Sequence, residues 1–140
     1  MAKILIVEDN ESNRDMLSRR LQSLTHVVLT AYDGEQGYAV AFARQPDLIL
    51  MDIALPGIGA LRATRLLKMS KQTAHIPIII LTDFPSTRDE AFAAGCDAFA
   101  TKPIAFVKLR KLIDDLLEQD PNAKTNAPFT QGTFSALRHQ

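Results

Sequence analysis

The sequence predicts a doubly wound α/β domain built on a five-stranded parallel sheet. Three observations carry that expectation: short apolar runs alternate with segments of helical periodicity, the loops between them are short, and the runs are rich in β-branched residues, as strands covered on both faces require. Each parallel return then needs a right-handed crossover, so the strand C-terminal ends gather on one edge, where such sheets bind ligands.

Lys3-Ile-Leu-Ile-Val7 reads as the first strand, stopping at Glu8-Asp9. Over residues 10–24 Met16, Leu17, Leu21 and Leu24 recur at helical spacing behind Asn10, a good N-terminal cap. Residues 27–31 give a second strand, Asp33-Gly34 a turn, and residues 36–44 a second helix closed by Pro46. The third strand, Leu48 to Met51, ends on Asp52; Leu55-Pro56-Gly57 then breaks the chain, with Gly57 and Gly59 keeping the loop pliable before a helix at about 61–69. The fourth strand is expected at residues 76–81, with Thr82 at its end. Thr87 and Glu90 fit a capping box for a short helix reaching Ala94 and stopped by Gly95. Residues 98–101 form a fifth strand before Lys102-Pro103, and residues 104–117 a fifth helix with Ile104, Val107, Leu109, Leu112, Ile113, Leu116 and Leu117 as its core stripe. One domain over residues 1–119 is expected, followed by a mobile tail over 120–140 whose Phe129, Phe134 and Leu137 could dock.

Composition narrows the function classes. The 140 residues are 46% hydrophobic and 23% charged, an ordinary globular balance, and can bury a core without metal or disulfide staples. With 16 basic against 16 acidic residues there is no electrostatic case for nucleic acid. No apolar run approaches the roughly 18 residues of a membrane span and no secretory signal is visible, so a cytoplasmic protein is expected. Cys96 is the single cysteine, read as a buried, unreactive thiol. His26, His75 and His139 are scattered and suggest no metal site, and Lys108, Arg110 and Lys111 fit a solvated helix face.

The strand ends carry the chemistry. Glu8 and Asp9 follow the first strand, Asp52 ends the third, Thr82 the fourth, and Thr101-Lys102 the fifth. Three crowded carboxylates repel one another, which makes sense if a hard divalent cation such as Mg2+ sits among them. One carboxylate could then attack phosphorus while Lys102 and the Thr82 hydroxyl hold phosphoryl oxygens.

Lys3-Ile-Leu-Ile-Val-Glu-Asp-Asn10, Pro46-Asp-Leu-Ile-Leu-Met-Asp52-Ile-Ala-Leu-Pro-Gly57, Ile79-Ile-Leu-Thr82, Gly95-Cys-Asp-Ala and Lys102-Pro103 together resemble the receiver domains of two-component response regulators. The resemblance spans about residues 3–118 and is to the stand-alone, DivK-like receivers that lack an output domain. It implies the flavodoxin-like strand order 2-1-3-4-5 with five helices. It also implies Asp52 as phosphoacceptor, and Mg2+ held by Asp9, Asp52 and the Ala54 carbonyl with Glu8 helping through water. Thr82 and Lys102 would contact the phosphoryl group, and Phe99 falls at the aromatic switch position, packing inward as Thr82 moves. The implied partners are a sensor histidine kinase or histidine phosphotransfer protein and a downstream protein target, for a non-enzyme acting as a monomer or weak homodimer.

The chain departs from the family pattern in places. Asp83 follows Thr82 where a small residue is usual, bringing a further carboxylate toward the incoming phosphoryl group unless it turns to solvent or caps the loop. The segment 82–95 is short, which alters the surface offered to partners, and Gly59-Ala60 and Arg62 replace acidic or Asp-Gly positions. Ala54 and Phe84 are apolar where fast-resetting receivers are often polar, which predicts a long-lived phosphoryl group. Three other functions compete. A pseudo-receiver or constitutive scaffold would explain Asp83 but not the intact Asp9, Asp52, Thr82 and Lys102. A phosphatase with an Asp nucleophile needs a second Asp where Ala54 stands, and a flavin binder needs donors where the first loop is acidic.

Overall fold

The computed structural model describes residues 1–55 and 57–118; the expected tail lies outside them. Strands β1 (Lys3–Val7), β2 (Val27–Ala31), β3 (Leu48–Asp52), β4 (Ile78–Thr82) and β5 (Ala98–Thr101) alternate with helices α1 (Glu11–Ser23), α2 (Gly34–Arg44), α3 (Gly59–Met69), α4 (Arg88–Ala94) and α5 (Phe106–Leu117). All strand pairs are parallel, in the order β2-β1-β3-β4-β5.

The period-two alternation of the strands divides the core in two. Leu5, Val7, Ile49, Met51, Ile78 and Ile80 face α2, α3 and α4, whereas Ile4, Ile6, Leu48, Leu50, Ile79 and Leu81 face α1 and α5. Central strands β3 and β4 are buried throughout, which is why they read as unbroken apolar runs. Burying each Ile or Leu contributes about 1.5–3 kcal/mol. Gly37 lets α2 approach β1 closely, since a Cβ there would meet Val7 Cγ2 at 2.9 Å. Gly95 ends α4 with φ of +109°, in the left-handed region that a side chain disfavours.

Several boundaries differ from the sequence expectation for local reasons. Asp33 is not a turn residue but the α2 cap, accepting from Gln36 N at 2.7 Å, so the helix starts at Gly34. β4 starts at Ile78, because Ile76 N bonds back to Thr73 O at 3.0 Å in a turn. The Thr87–Glu90 capping box does not form: the Thr87 hydroxyl donates to Phe84 O at 2.7 Å, within a 3-10 turn at Pro85–Thr87 that precedes α4. α5 starts at Phe106, and Val107 is 79% exposed rather than core. It lies two residues before buried Leu109, roughly 200° around the helix and thus on the opposite side.

Candidate functional site

The C-terminal ends of β1, β3, β4 and β5 form one polar edge above the apolar sheet. Asp52 ends β3 beside Leu81, and Thr82 pairs with Thr101 in the next register step. Lys102 leaves β5 with its amide donating to Thr82 O at 2.6 Å, and its peptide bond to Pro103 is cis. The Lys102 ammonium reaches back to Asp52 Oδ2 at 2.6 Å and lies 3.6 Å from Glu8 Oε1. Asp52 Oδ1 accepts from Ala54 N at 3.0 Å. Glu8 Oε2 accepts from Asn10 N at 3.2 Å, and Arg14 Nη1 donates to Glu8 O at 2.7 Å, tying the β1 end to the first turns of α1.

One carboxylate oxygen from each of Glu8, Asp9 and Asp52 falls within 4.8 Å of the others; Glu8 and Asp52 are buried and Asp9 is exposed. Burial pushes the Glu8 carboxyl up to about 7, and the adjacent Asp52 carboxylate adds to this, while the Asn10 amide and Lys102 ammonium oppose it. Burial would raise Asp52 too, but hydrogen bonds from Lys102 and the Ala54 amide outweigh it and hold Asp52 below its usual value. Burial likewise works against the Lys102 charge, and Asp52, Glu8 and lastly Asp83 overcome it, so Lys102 ionises above the ordinary lysine range. Such an all-oxygen donor set, with one acid that burial and a neighbouring carboxylate make reluctant to ionise, fits a hard divalent cation like Mg2+.

Thr82 is fully buried, and its hydroxyl turns into its own loop, accepting from Phe84 N at 2.9 Å with the Thr87 hydroxyl 3.5 Å away. Phe99 is half-buried on β5 and packs at 6.3 Å against the Phe92 ring of α4. Ala54 and Phe84 are exposed at the rim. Asp83 is exposed too and lines a cavity of about 410 Å3 shared with Glu8, Lys102, Asn13 and Arg20. Sequence reasoning brought Glu8, Asp9, Asp52 and Lys102 together and set Thr82 beside them. It missed Arg14, which stands one turn after the Asn10 cap, and Arg20, whose guanidinium lies 5.1 Å over the Phe106 ring.

Fold and edge together define a flavodoxin-like α/β domain with an acidic pocket and one ammonium at the carboxyl ends of its strands. The family profile described as "Response regulator receiver domain" matches residues 4–114, and the chain belongs to that family as a receiver domain of two-component signalling. It is 37% identical to Protein PilH of Pseudomonas aeruginosa over 119 residues, 84% of this chain and 98% of PilH. It is 34% identical to the polar-differentiation response regulator DivK of Brucella ovis over 116 residues, 81% of this chain and 94% of DivK. Among solved structures, the receiver domain of the sensor histidine kinase PA1611 from P. aeruginosa, with a magnesium ion in its active-site cleft, matches with TM-score 0.79 at 30% identity, covering 84% of this chain and 98% of that one. No described helix is long and apolar enough to cross a membrane.

Proposed function

We propose that this receiver takes a phosphoryl group on Asp52 from a histidine kinase or histidine phosphotransfer protein, and that the modified form changes affinity for a downstream protein. The observation that carries the reading is the Lys102 ammonium held 2.6 Å from Asp52 inside a pocket with Glu8 and Asp9. An Asp52 oxygen forms the new O–P bond as the N–P bond of the donor phosphohistidine breaks and the imidazole leaves with the electron pair. Asp52 is suited to attack because its neighbours keep it ionised. Lys102 neutralises charge on the phosphoryl oxygens, and the Thr82 hydroxyl, once released from Phe84 N, donates to another. Glu8, Asp9, Asp52 and the Ala54 carbonyl are the groups that would hold Mg2+, whose charge would offset that of the carboxylates and the phosphoryl group. Phe99 then follows Thr82, altering the face of α4, β5 and α5. The domain is a switch rather than an enzyme turning over an outside substrate, and it works in the cytoplasm as a monomer or weak homodimer without nucleic acid.

The test is incubation with a small donor such as acetyl phosphate and Mg2+, followed by intact-protein mass spectrometry of the wild type and Asp52→Ala. One added phosphoryl group, absent from the variant, is the expected result. No incorporation into wild type would overturn the reading in favour of a constitutive scaffold.

A further inference from the structure

We infer that Asp83 selects among phosphoryl donors, disfavouring small anionic ones and favouring donors that bring a positive charge beside the phosphoryl group. The inference rests on the proposed phosphorylation of Asp52 and deepens it. Asp83 follows the buried Thr82 directly, yet its own side chain is exposed and lines the same cavity as Glu8 and Lys102. Its charge is felt at the Lys102 ammonium, after those of Asp52 and Glu8. Asp52 and Asp9 do not line that cavity; Lys102, which does and whose ammonium lies 2.6 Å from Asp52 Oδ2, links the Asp83 charge to the site that should receive the phosphoryl oxygens. Among its described hydrogen bonds the β4–α4 loop is held by Thr82 and Thr87, not by Asp83, so the carboxylate has no evident part in building that loop.

A dianion reaching Lys102 enters the field of this exposed carboxylate, which added salt screens. A donor carrying an ammonium or guanidinium next to its phosphoryl group would instead pair with Asp83 on arrival, turning repulsion into a contact. Arg20, which also lines the cavity, lies 5.1 Å over the Phe106 ring.

Two donors separate the cases. Acetyl phosphate is a dianion at neutral pH: the Asp52 O–P bond forms, the acetyl O–P bond breaks, and acetate leaves with the pair. Phosphoramidate bears an ammonium on phosphorus and a smaller net charge: its N–P bond breaks and ammonia leaves. The first-order rates of Asp52 modification are measured with Mg2+ for wild type, Asp83→Asn and Asp83→Glu, at low salt and near 1 M salt. Asp83→Asn is expected to speed reaction with acetyl phosphate about five- to tenfold at low salt and with phosphoramidate no more than about twofold, the difference collapsing near 1 M salt, where the screening length is ~3 Å. Asp83→Glu should stay near wild type, and beryllofluoride, an anionic phosphoryl mimic, should bind Asp83→Asn more tightly. Equal rates and equal salt dependence for wild type and Asp83→Asn would overturn the inference and leave Asp52 phosphorylation standing. Failure of every protein to take a phosphoryl group from either donor would overturn both.

Discussion

The molecule holds two half-buried Lys–Asp pairs at opposite edges of the same sheet, and they differ in how completely they are satisfied. At the N-terminal edge the Lys68 ammonium of α3 meets Asp97 Oδ2 at 2.8 Å, Ile76 O at 2.7 Å and Ala74 O at 3.2 Å, while Asp97 Oδ2 also accepts from Ile78 N at 2.9 Å. That pair staples α3 to the starts of β4 and β5, and little of it faces water. At the C-terminal edge Lys102 has one short partner in Asp52, a second carboxylate at 3.6 Å, and an acid beside it driven up to about 7. The same two residue types thus make a saturated structural joint at one edge and an open, charge-strained pocket at the other. Saturation gives stability, and incompleteness leaves room for a ligand.

Substitution at the two pairs should separate those roles. Asp97→Ala removes the carboxylate that both the Lys68 ammonium and Ile78 N donate to, and is expected to cost about 3–5 kcal/mol in urea unfolding. Asp52→Asn should abolish phosphoryl incorporation and cost less stability than Asp97→Ala, because Lys102 keeps Glu8 as a counter-charge at 3.6 Å and Glu8 loses a neighbouring carboxylate. A large loss of stability in Asp52→Asn would erase the contrast. The next effect is one of pH. Glu8 ionises near 4.5 in the unfolded chain and near 7 in the folded one, so the folded state binds more protons between those values. Without divalent cation, stability should therefore fall as pH rises through that window, by on the order of 3 kcal/mol. Glu8→Gln should flatten the slope, and a stability that instead climbed from pH 5 to 8 in wild type alone would contradict the picture.

Smaller effects sharpen the open edge. With Ala54 and Phe84 offering no polar group to a hydrolytic water, the phosphoryl group should persist for minutes or longer in purified protein with Mg2+. Ala54→Asn should shorten that lifetime about tenfold, roughly 1.4 kcal/mol in barrier. Loss within seconds from wild type would remove the assignment. Thr87→Ala, which deletes the bond to Phe84 O, is expected to cost about 1 kcal/mol or less and to leave incorporation on Asp52 intact, as judged by melting and mass spectrometry together.

The apolar strands and the residues at their ends were legible in the sequence because burial on both faces forces unbroken apolar runs, and each run stops where polarity begins. Strand order was not legible from periodicity; 2-1-3-4-5 came with the family resemblance and matches the observed pairing. The Thr87–Glu90 cap was misread because a hydroxyl has competing acceptors, and only the folded loop shows that Phe84 O wins. Val107 was misplaced because counting the stripe from Ile104 extends the helix two residues too early. The Lys68–Asp97 joint left no mark: its members lie 29 positions apart, and nothing local to either announces the other. The burial of Glu8, and with it its raised pKa, likewise exists only once β1, β3 and β5 have closed around it.

The bond from Phe84 N to Thr82 Oγ1 sets the leakiness of the switch. On the proposed reading Thr82 must give up that hydrogen bond, with its longer contacts at 3.5 Å to Phe84 O and the Thr87 hydroxyl, to turn inward, and water can take its place in a loop whose Phe84 is 57% exposed. An exchange of this kind costs roughly 0.5–1.5 kcal/mol. Without any phosphoryl group, on the order of a tenth of the molecules would then stand in the inward arrangement at rest. A target that reads only that arrangement would see a background of the same size, capping the gain on full phosphorylation at about tenfold. A cell needing a quieter signal from this receiver would have to obtain it from the abundance of the target rather than from the loop.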